Sequence, residues 1–461
     1  MITKNKLLRQ DAELELYNGK RIIIFSDERI IIQNGDTEQE IKYEDLLPLL
    51  FCLAKVKVFG EKNTIISFVL NGVNSNKDNV EVIYFDQNSN LKQIASSQHT
   101  LIIDSNGSVY SRGRDDFGQS GQEKKEERKS LFVSNRTLVK TKGILNGKNV
   151  ASVTVGNLCS FALDINGDVY AWGHNGSREL CDETTEHKYL PIKILKTMVA
   201  ISSKYEHSLA LSLEGEVYAW GNSNDGRIGS SSSGEDYNKI QGLLLNKNIV
   251  SVSAGRAHSL ALDSDGQVYT WGLNGCGQLG DGKKYKSKNY PIEVRGLLEN
   301  KNIVSISAGD YYSVALDSDG NIYAWGYIYC GDFSENAIIN PFPTQIINLK
   351  KPTSDKIISI SAGDNHFLAL DLSGKVYAWG RNNHGQLGDG TRFDNFALNS
   401  VDEILKERKI TSVYAGSKSS FAVDSEGKTY VWGNNFFNQI QDGSIRDILS
   451  PTEITIPNEP L

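Results

Sequence analysis

Four histidines occupy one recurring place. His99, His207, His258 and His366 each stand fourth after the Ala or Ser that opens a loop, and Cys159, Tyr312 and Ser419 hold the same place elsewhere. An imidazole titrates near neutral pH, so such a set can move protons, bind metal or hydrogen-bond. Catalysis would need a nucleophile and an orienting acid beside it, and a zinc site would need a spacing such as His-Glu-x-x-His. Neither pattern occurs among the seven histidines. A place that accepts His, Cys, Tyr and Ser reads as a hydrogen bonder within each repeat. The residues just before it vary: Ser97-Gln98, Asn157-Leu158, Tyr205-Glu206, Arg256-Ala257, Asp310-Tyr311, Asp364-Asn365 and Ser417-Lys418. Variation on a fixed frame is how a scaffold changes its binding face.

Two further motifs have plainer readings. Gly275-Cys-Gly-Gln-Leu-Gly280 fits the dinucleotide pattern G-x-G-x-x-G, but it follows a strand phrase and opens no helix. Asp263-Ser-Asp-Gly and Asp317-Ser-Asp-Gly resemble the start of a calcium loop, yet the later acidic ligands are missing, so both read as hairpin turns. The sequence gives no reason to expect a catalytic residue, a metal or a cofactor.

The elements that carry these residues repeat. All six tryptophans precede glycine at the end of one phrase, as in Val169-Tyr-Ala-Trp172-Gly and Val268-Tyr-Thr-Trp271-Gly, and Val109-Tyr-Ser-Arg112-Gly is a seventh copy with Arg for Trp. From Arg112 onward the copies stand 60, 48, 51, 54, 54 and 53 residues apart. Each follows a turn ending in glycine, from Gly107 to Gly427, with another strand before it and a short strand after the next loop. Four short strands repeated seven times at about 50 residues read as an all-β, seven-bladed β-propeller over residues 89–461.

Residues 1–88 lack the repeat and read as a small N-terminal α+β cap or partial blade. Strands are expected at 21–25, 29–33, 64–70 and 80–85, and a helix at 43–56 with Leu46, Leu49, Leu50 and Leu53 on one face.

Composition bounds the function. The 461 residues carry a net charge of -7, which excludes a general nucleic-acid binder but not a local basic face. Five scattered cysteines without a C-x-x-C pair suit a reducing cytosol. No apolar stretch has the length of a signal peptide or membrane span, so a soluble, cytoplasmic protein is expected.

The phrases Ala254 to Gly272 and Ala362 to Gly380, followed by Asn274-Gly-Cys-Gly-Gln-Leu-Gly-Asp-Gly282 and Asn382-Asn-His-Gly-Gln-Leu-Gly-Asp-Gly390, closely resemble the repeat of the regulator of chromosome condensation family. The resemblance covers all seven blades and implies the propeller. That family includes a nucleotide-exchange factor for the small GTPase Ran, ciliary and ubiquitin-ligase scaffolds, plant photoreceptors and bacterial inhibitors or effectors. In the exchange factor, acids and a histidine in these loops act on the GTPase. The matching positions here are Asp310, Asp364, Glu206 and the loop histidines His207, His258 and His366. The hairpin wedge of that factor has no clear counterpart, since the long 112–172 interval carries a charged run at 123–129 that reads as solvated loop. Where the common loop phrase is lost, blade five has Tyr327 and Tyr329 and blade seven Phe436 and Phe437, aromatics suited either to anchor a protein partner or to pack beneath an unusual loop. The expected function is protein binding. Its most specific form is exchange on a Ran-like GTPase; a non-catalytic scaffold or adaptor, and a bacterial effector or inhibitor, are the alternatives.

Overall fold

A computed structural model describes the strands within residues 10–86 and most of residues 91–461, leaving out 105, 124–133, 230–236, 329–337, 347–354, 402, 441–444 and 455–461. The chain divides into two compact units, Met1–Asn88 and Ser89–Leu461. In the first, five antiparallel strands run in the order Thr37–Ile41, Ile30–Asn34, Lys20–Phe25, Gln10–Glu15 and Lys57–Val58, and Thr64–Phe68 pairs with Val82–Asp86. The helix expected at 43–56 lies outside the described residues.

The second unit is seven four-stranded antiparallel sheets, each made of consecutive strands. Blade 1 spans 91–140, blade 2 150–195, blade 3 198–239, blade 4 249–293, blade 5 303–345, blade 6 357–400 and blade 7 410–454. The first strand of each blade lies innermost and touches its counterpart in the next, until Ile410–Ala415 of blade 7 meets Leu91–Ser96 of blade 1 and the ring closes. Among the described residues there is no α-helix.

Burial is greatest in the two middle strands of each blade, the innermost strand being only partly buried. Second and third strands such as His258–Asp263 and Val268–Gly272 are buried at every residue because neighbouring blades cover both faces, whereas the outer Lys288–Glu293 is mostly open. Trp271 closes the seam between blades 3 and 4, its Nε1 donating to the carbonyl of Arg227 at 2.9 Å. Trp172, Trp220, Trp325 and Trp432 make the same bond at 2.8 to 2.9 Å. Arg112 takes that role where the ring closes: its Nε donates to the Asn438 carbonyl at 3.1 Å, above a cluster of Ile94, Ile102 and Tyr110 with Phe421, Val423 and Val431. The Trp-to-Arg departure in the first copy therefore keeps the hydrogen bond.

The acidic turns are hairpins. Asp263 Oδ1 accepts the backbone N–H groups of Asp265 and Gln267, and its Oδ2 accepts the Tyr269 hydroxyl at 3.0 Å. Asp317, Asp371 and Asp424 bond the equivalent tyrosine in the same way. These carboxylates are already occupied by donors, which leaves no calcium loop.

Candidate functional site

Seven loops, each joining the first and second strands of a blade, ring one end of the axis and bond to one another. The N–H of Asp310 donates to the Asp364 carbonyl at 2.9 Å, that of Asp364 to Ser417 at 2.9 Å, and that of Ser417 to Ser96 at 3.1 Å. Five of these loops open on a glycine, Gly156, Gly255, Gly309, Gly363 and Gly416, with Ser96 and Lys204 in its place in blades 1 and 3, and in the two closest cases the glycine is a matter of space. A Cβ on Gly309 would lie 1.8 Å from the Tyr312 ring, and one on Gly255 would lie 2.3 Å from the His258 ring.

The histidines are not on this surface. His207, His258 and His366 are at most 1% exposed. His207 Nε2 lies 3.0 Å from Ser259 Oγ of the next blade, His258 Nε2 3.0 Å from Ser313 Oγ and His366 Nε2 3.0 Å from Ser420 Oγ. Ser259, Ser313 and Ser420 each donate their single hydroxyl proton to a backbone carbonyl, so the facing imidazole nitrogen must donate. Burial lowers the pKa of each ring to about 3, fixing it neutral. The partner-contact expectation for these three is corrected: they join blade to blade. Tyr312 in the same place reaches further, donating its hydroxyl to the His366 carbonyl at 2.6 Å.

At the mouth of the ring, four consecutive blades, 3 to 6, contribute one charged cluster. Lys204 of blade 3 extends toward blades 5 and 6, its Nζ donating to the carbonyls of Ala308 at 3.2 Å and Gly363 at 2.8 Å and lying 3.8 Å from Asp364 Oδ1. Arg256 of blade 4 has its guanidinium carbon 4.4 Å from the centre of the Tyr205 ring and 5.5 Å from that of Tyr311. It also donates to the Tyr205 hydroxyl at 3.1 Å and lies 3.7 Å from Asp310 Oδ2. Asp310 and Asp364 are buried behind it, and among the described residues Oδ1 of each has no hydrogen-bond partner. Burial first, and then the charge of Asp364, raise the Asp310 carboxyl to about 7, against the opposing pull of Lys204 and Arg256.

Of the expected acids, Asp310 and Asp364 therefore present no open carboxylate. Asp310 and Asp364 meet, but beneath Arg256, whose side chain is 42% exposed. Glu206 is half-buried and accepts from Asn222 Nδ2 at 2.7 Å, apart from that pair. Tyr327 is half-buried on the same face, its N–H donating to the Tyr311 carbonyl at 2.8 Å, and Tyr329 lies outside the described residues. Phe436 is 61% exposed and meets Phe437 edge-on at 5.0 Å, with the Arg114 guanidinium 5.4 Å from the Phe437 ring. Sequence reasoning singled out the acids and missed Lys204, Tyr205, Arg256 and Tyr311 as site residues. The available signal was position, since three of these fill the variable places before the recurring His.

Among the described residues no cluster of His, Cys, Asp and Glu is arranged to hold a metal, and no helix is long and apolar enough to cross a membrane. The model of the RCC1-like domain matches residues 234–460, and that of the regulator of chromosome condensation (RCC1) repeat matches 95–119 and 198–227. The chain belongs to the regulator of chromosome condensation repeat family. Within it, the chain is 28% identical over 324 residues to the ultraviolet-B receptor UVR8 of Arabidopsis thaliana, covering 68% of this chain and 71% of that protein. It is 28% identical over 349 residues to protein pim1 of Schizosaccharomyces pombe, 66% of this chain and 62% of that one. The human E3 ubiquitin-protein ligase HERC2 matches at 30% over 322 residues, 67% of this chain but 6% of the ligase. The chain thus spans less than two thirds of pim1 and a small part of HERC2. Among solved structures, human WBSCR16 superposes with a TM-score of 0.65 at 19% identity, over 76% of this chain and 94% of that one. Prp20p of Saccharomyces cerevisiae, described with its binding to Gsp1p and histones, gives 0.61 at 24%, over 72% and 82%. At these identities the two structures bear on the propeller fold alone.

Proposed function

We propose that this propeller binds a protein partner on the loop face around its axis, and that in its most specific form it acts as a nucleotide-exchange factor on a Ran-like small GTPase. The observation that carries the binding reading is Arg256, an exposed cation held between Tyr205 and Tyr311 above two buried carboxyls. A rigid arginine flanked by aromatic rings is the kind of group that dominates interface energetics. Prp20p's described binding to Gsp1p supports the finer reading.

Exchange would work by differential binding. A factor that holds the nucleotide-free GTPase far more tightly than the loaded form shifts the equilibrium toward release, while equal affinity shifts nothing. The burial of Asp310 and Asp364 favours a scaffold as the second reading, because neither acid stands free to compete for the phosphate and magnesium site.

Release of a fluorescent nucleotide from Ran, with and without this protein, separates the two. Exchange predicts acceleration, which Arg256→Ala reduces by at least about tenfold, or 1.4 kcal/mol in the barrier. No acceleration, with equal capture of nucleotide-free and loaded forms, leaves the scaffold. Failure to capture either form would remove the GTPase reading.

A further inference from the structure

The outer loop of blade 4 gathers Lys283, Lys284, Lys286 and Lys288 within six residues of a chain whose net charge is -7. Among the described residues none of the four forms an ion pair with a carboxylate, and the first three are exposed. Between them stands Tyr285, 80% exposed and held at a φ of +61°. A bulky residue in the left-handed region is costly, and such strain gathers where a side chain must be presented.

The loop is fixed at both ends. The N–H of Gly282 donates to the Pro341 carbonyl at 3.0 Å and that of Tyr285 to Asn274 at 2.8 Å, while Lys288 pairs with Gly272 in the sheet. Gly226 of blade 3 packs against the backbone of Asn289, and Gly282 lies against the ring of Phe342 in blade 5, itself 48% exposed. Tyr290, 52% exposed, has the Lys288 ammonium 5.5 Å from its ring centre. The cations and rings therefore project from a frame that is already ordered, which lowers the entropy lost on binding.

We propose that the loop of residues 283–288 is a docking site for an acidic segment of a protein partner, with Tyr285 as its apolar anchor. Charge complementarity supplies the attraction. At physiological salt a field decays over about 8 Å, so the loop acts locally despite the acidity of the whole molecule. A nucleic-acid strand suits it less well: its charge continues at every phosphate, so beyond the loop it meets a net acidic molecule. The loop also lacks the arginine forks that grip phosphate. An acidic peptide can end where the lysines end. This site is separate from Arg256 and stands or falls independently of the exchange reading.

The test is fluorescence anisotropy of the full chain with a labelled peptide of about a dozen residues, glutamates around a central leucine pair. Binding should weaken steeply with salt. Replacing Lys283, Lys284, Lys286 and Lys288 together by Glu should reduce affinity more than tenfold. The charge-matched control Lys142→Glu, Lys196→Glu, Lys301→Glu and Lys409→Glu, built on exposed lysines elsewhere, should change it less than threefold. Tyr285→Ala should weaken binding about threefold to tenfold at every salt concentration, with unfolding temperature unchanged, and Arg256→Ala should leave it intact. Equal loss in the two quadruple variants, or no loss in the first, overturns the site. Tighter capture of an oligothymidylate of the same length, or of phosphatidylserine vesicles, by the same lysines overturns the acidic-peptide assignment in favour of that ligand.

Discussion

The Nε2 of His207 in blade 3 lies 3.0 Å from the Oγ of Ser259 in blade 4, so an imidazole of one blade ends on a strand of the next. His99 and Ser160, His258 and Ser313, and His366 and Ser420 repeat the contact at 2.7 to 3.0 Å. Each bond uses a neutral ring, and stability should therefore depend on acid. Folded, these groups titrate near 3; unfolded, near 6.5. Below pH 6.5 the unfolded chain takes up protons that the folded chain refuses, so their stabilisation is complete above about 6.5 and falls as pH drops toward 3. Each ring contributes a slope of about 1.4 kcal/mol per pH unit inside that window. Urea unfolding at about pH 7.5 and 5.5 should show a clear loss, and His207→Gln, which keeps a donor facing Ser259, should reduce that loss by about 1 kcal/mol. An identical loss in both proteins would mean that His207 already accepts a proton when folded.

Trp271 is fully buried, and its indole N–H is satisfied by the Arg227 carbonyl. Trp271→Ala should cost about 3 to 5 kcal/mol, combining lost burial with the cavity left between blades. Trp271→Phe keeps much of the apolar contact and loses the hydrogen bond, so a smaller cost of about 1 to 2 kcal/mol is expected. Denaturant unfolding of both variants checks the order. A loss below about 1 kcal/mol for the alanine variant would show that the seam closes over the gap.

Trp271 was legible in the sequence because the fold repeats it. Six Trp-Gly phrases at intervals near 50 residues specify one strand of one blade, and Asp263, Gly266 and Tyr269 specify the hairpin that leads to it. The loop face was legible only as a set of variable places. Arg256 stacks on Tyr205 and Tyr311, residues about 50 positions away on either side in the chain, and Lys204 reaches carbonyls of Ala308 and Gly363 across the ring mouth. Such contacts depend on the curvature that brings blades 3 to 6 around the axis, which no local pattern encodes. Asp310 and Asp364 were visible as acids by type, but their burial beneath Arg256 was not.

The Ala-Gly pair that opens the loops of blades 4 to 7 yields a prediction that tests the packing directly. Gly309→Ala would set a methyl 1.8 Å from Cε1 of Tyr312, a ring held by its hydrogen bond to the His366 carbonyl, so the tyrosine must leave its place. The variant should lose about 2 kcal/mol or more. Tyr312→Ala alone should also destabilise, but the double variant should lose clearly less than the sum because the clash and the ring vanish together. Strict additivity in a double-mutant cycle would show that Gly309 is required for another reason.

Asp310 offers a pH dependence of opposite sign to that of the histidines. Its carboxyl is raised to about 7 when folded, chiefly by burial and by Asp364, whereas an unfolded aspartate titrates near 3.9. Between these values the folded state holds a proton that the unfolded state has released. The stabilisation from that proton is therefore complete below about pH 3.9 and is lost as pH rises through 7. Asp310→Asn imitates the protonated form at every pH. Measured as a difference from wild type, which cancels the histidine contribution, its unfolding free energy should improve between about pH 5 and 8. Arg256→Ala removes a cation that favours the ionised carboxylate, so the wild-type decline over the same range should steepen. If Asp310→Asn runs parallel to wild type, the carboxyl is ionised throughout, and Arg256 and Lys204 compensate both buried charges at the mouth of the ring.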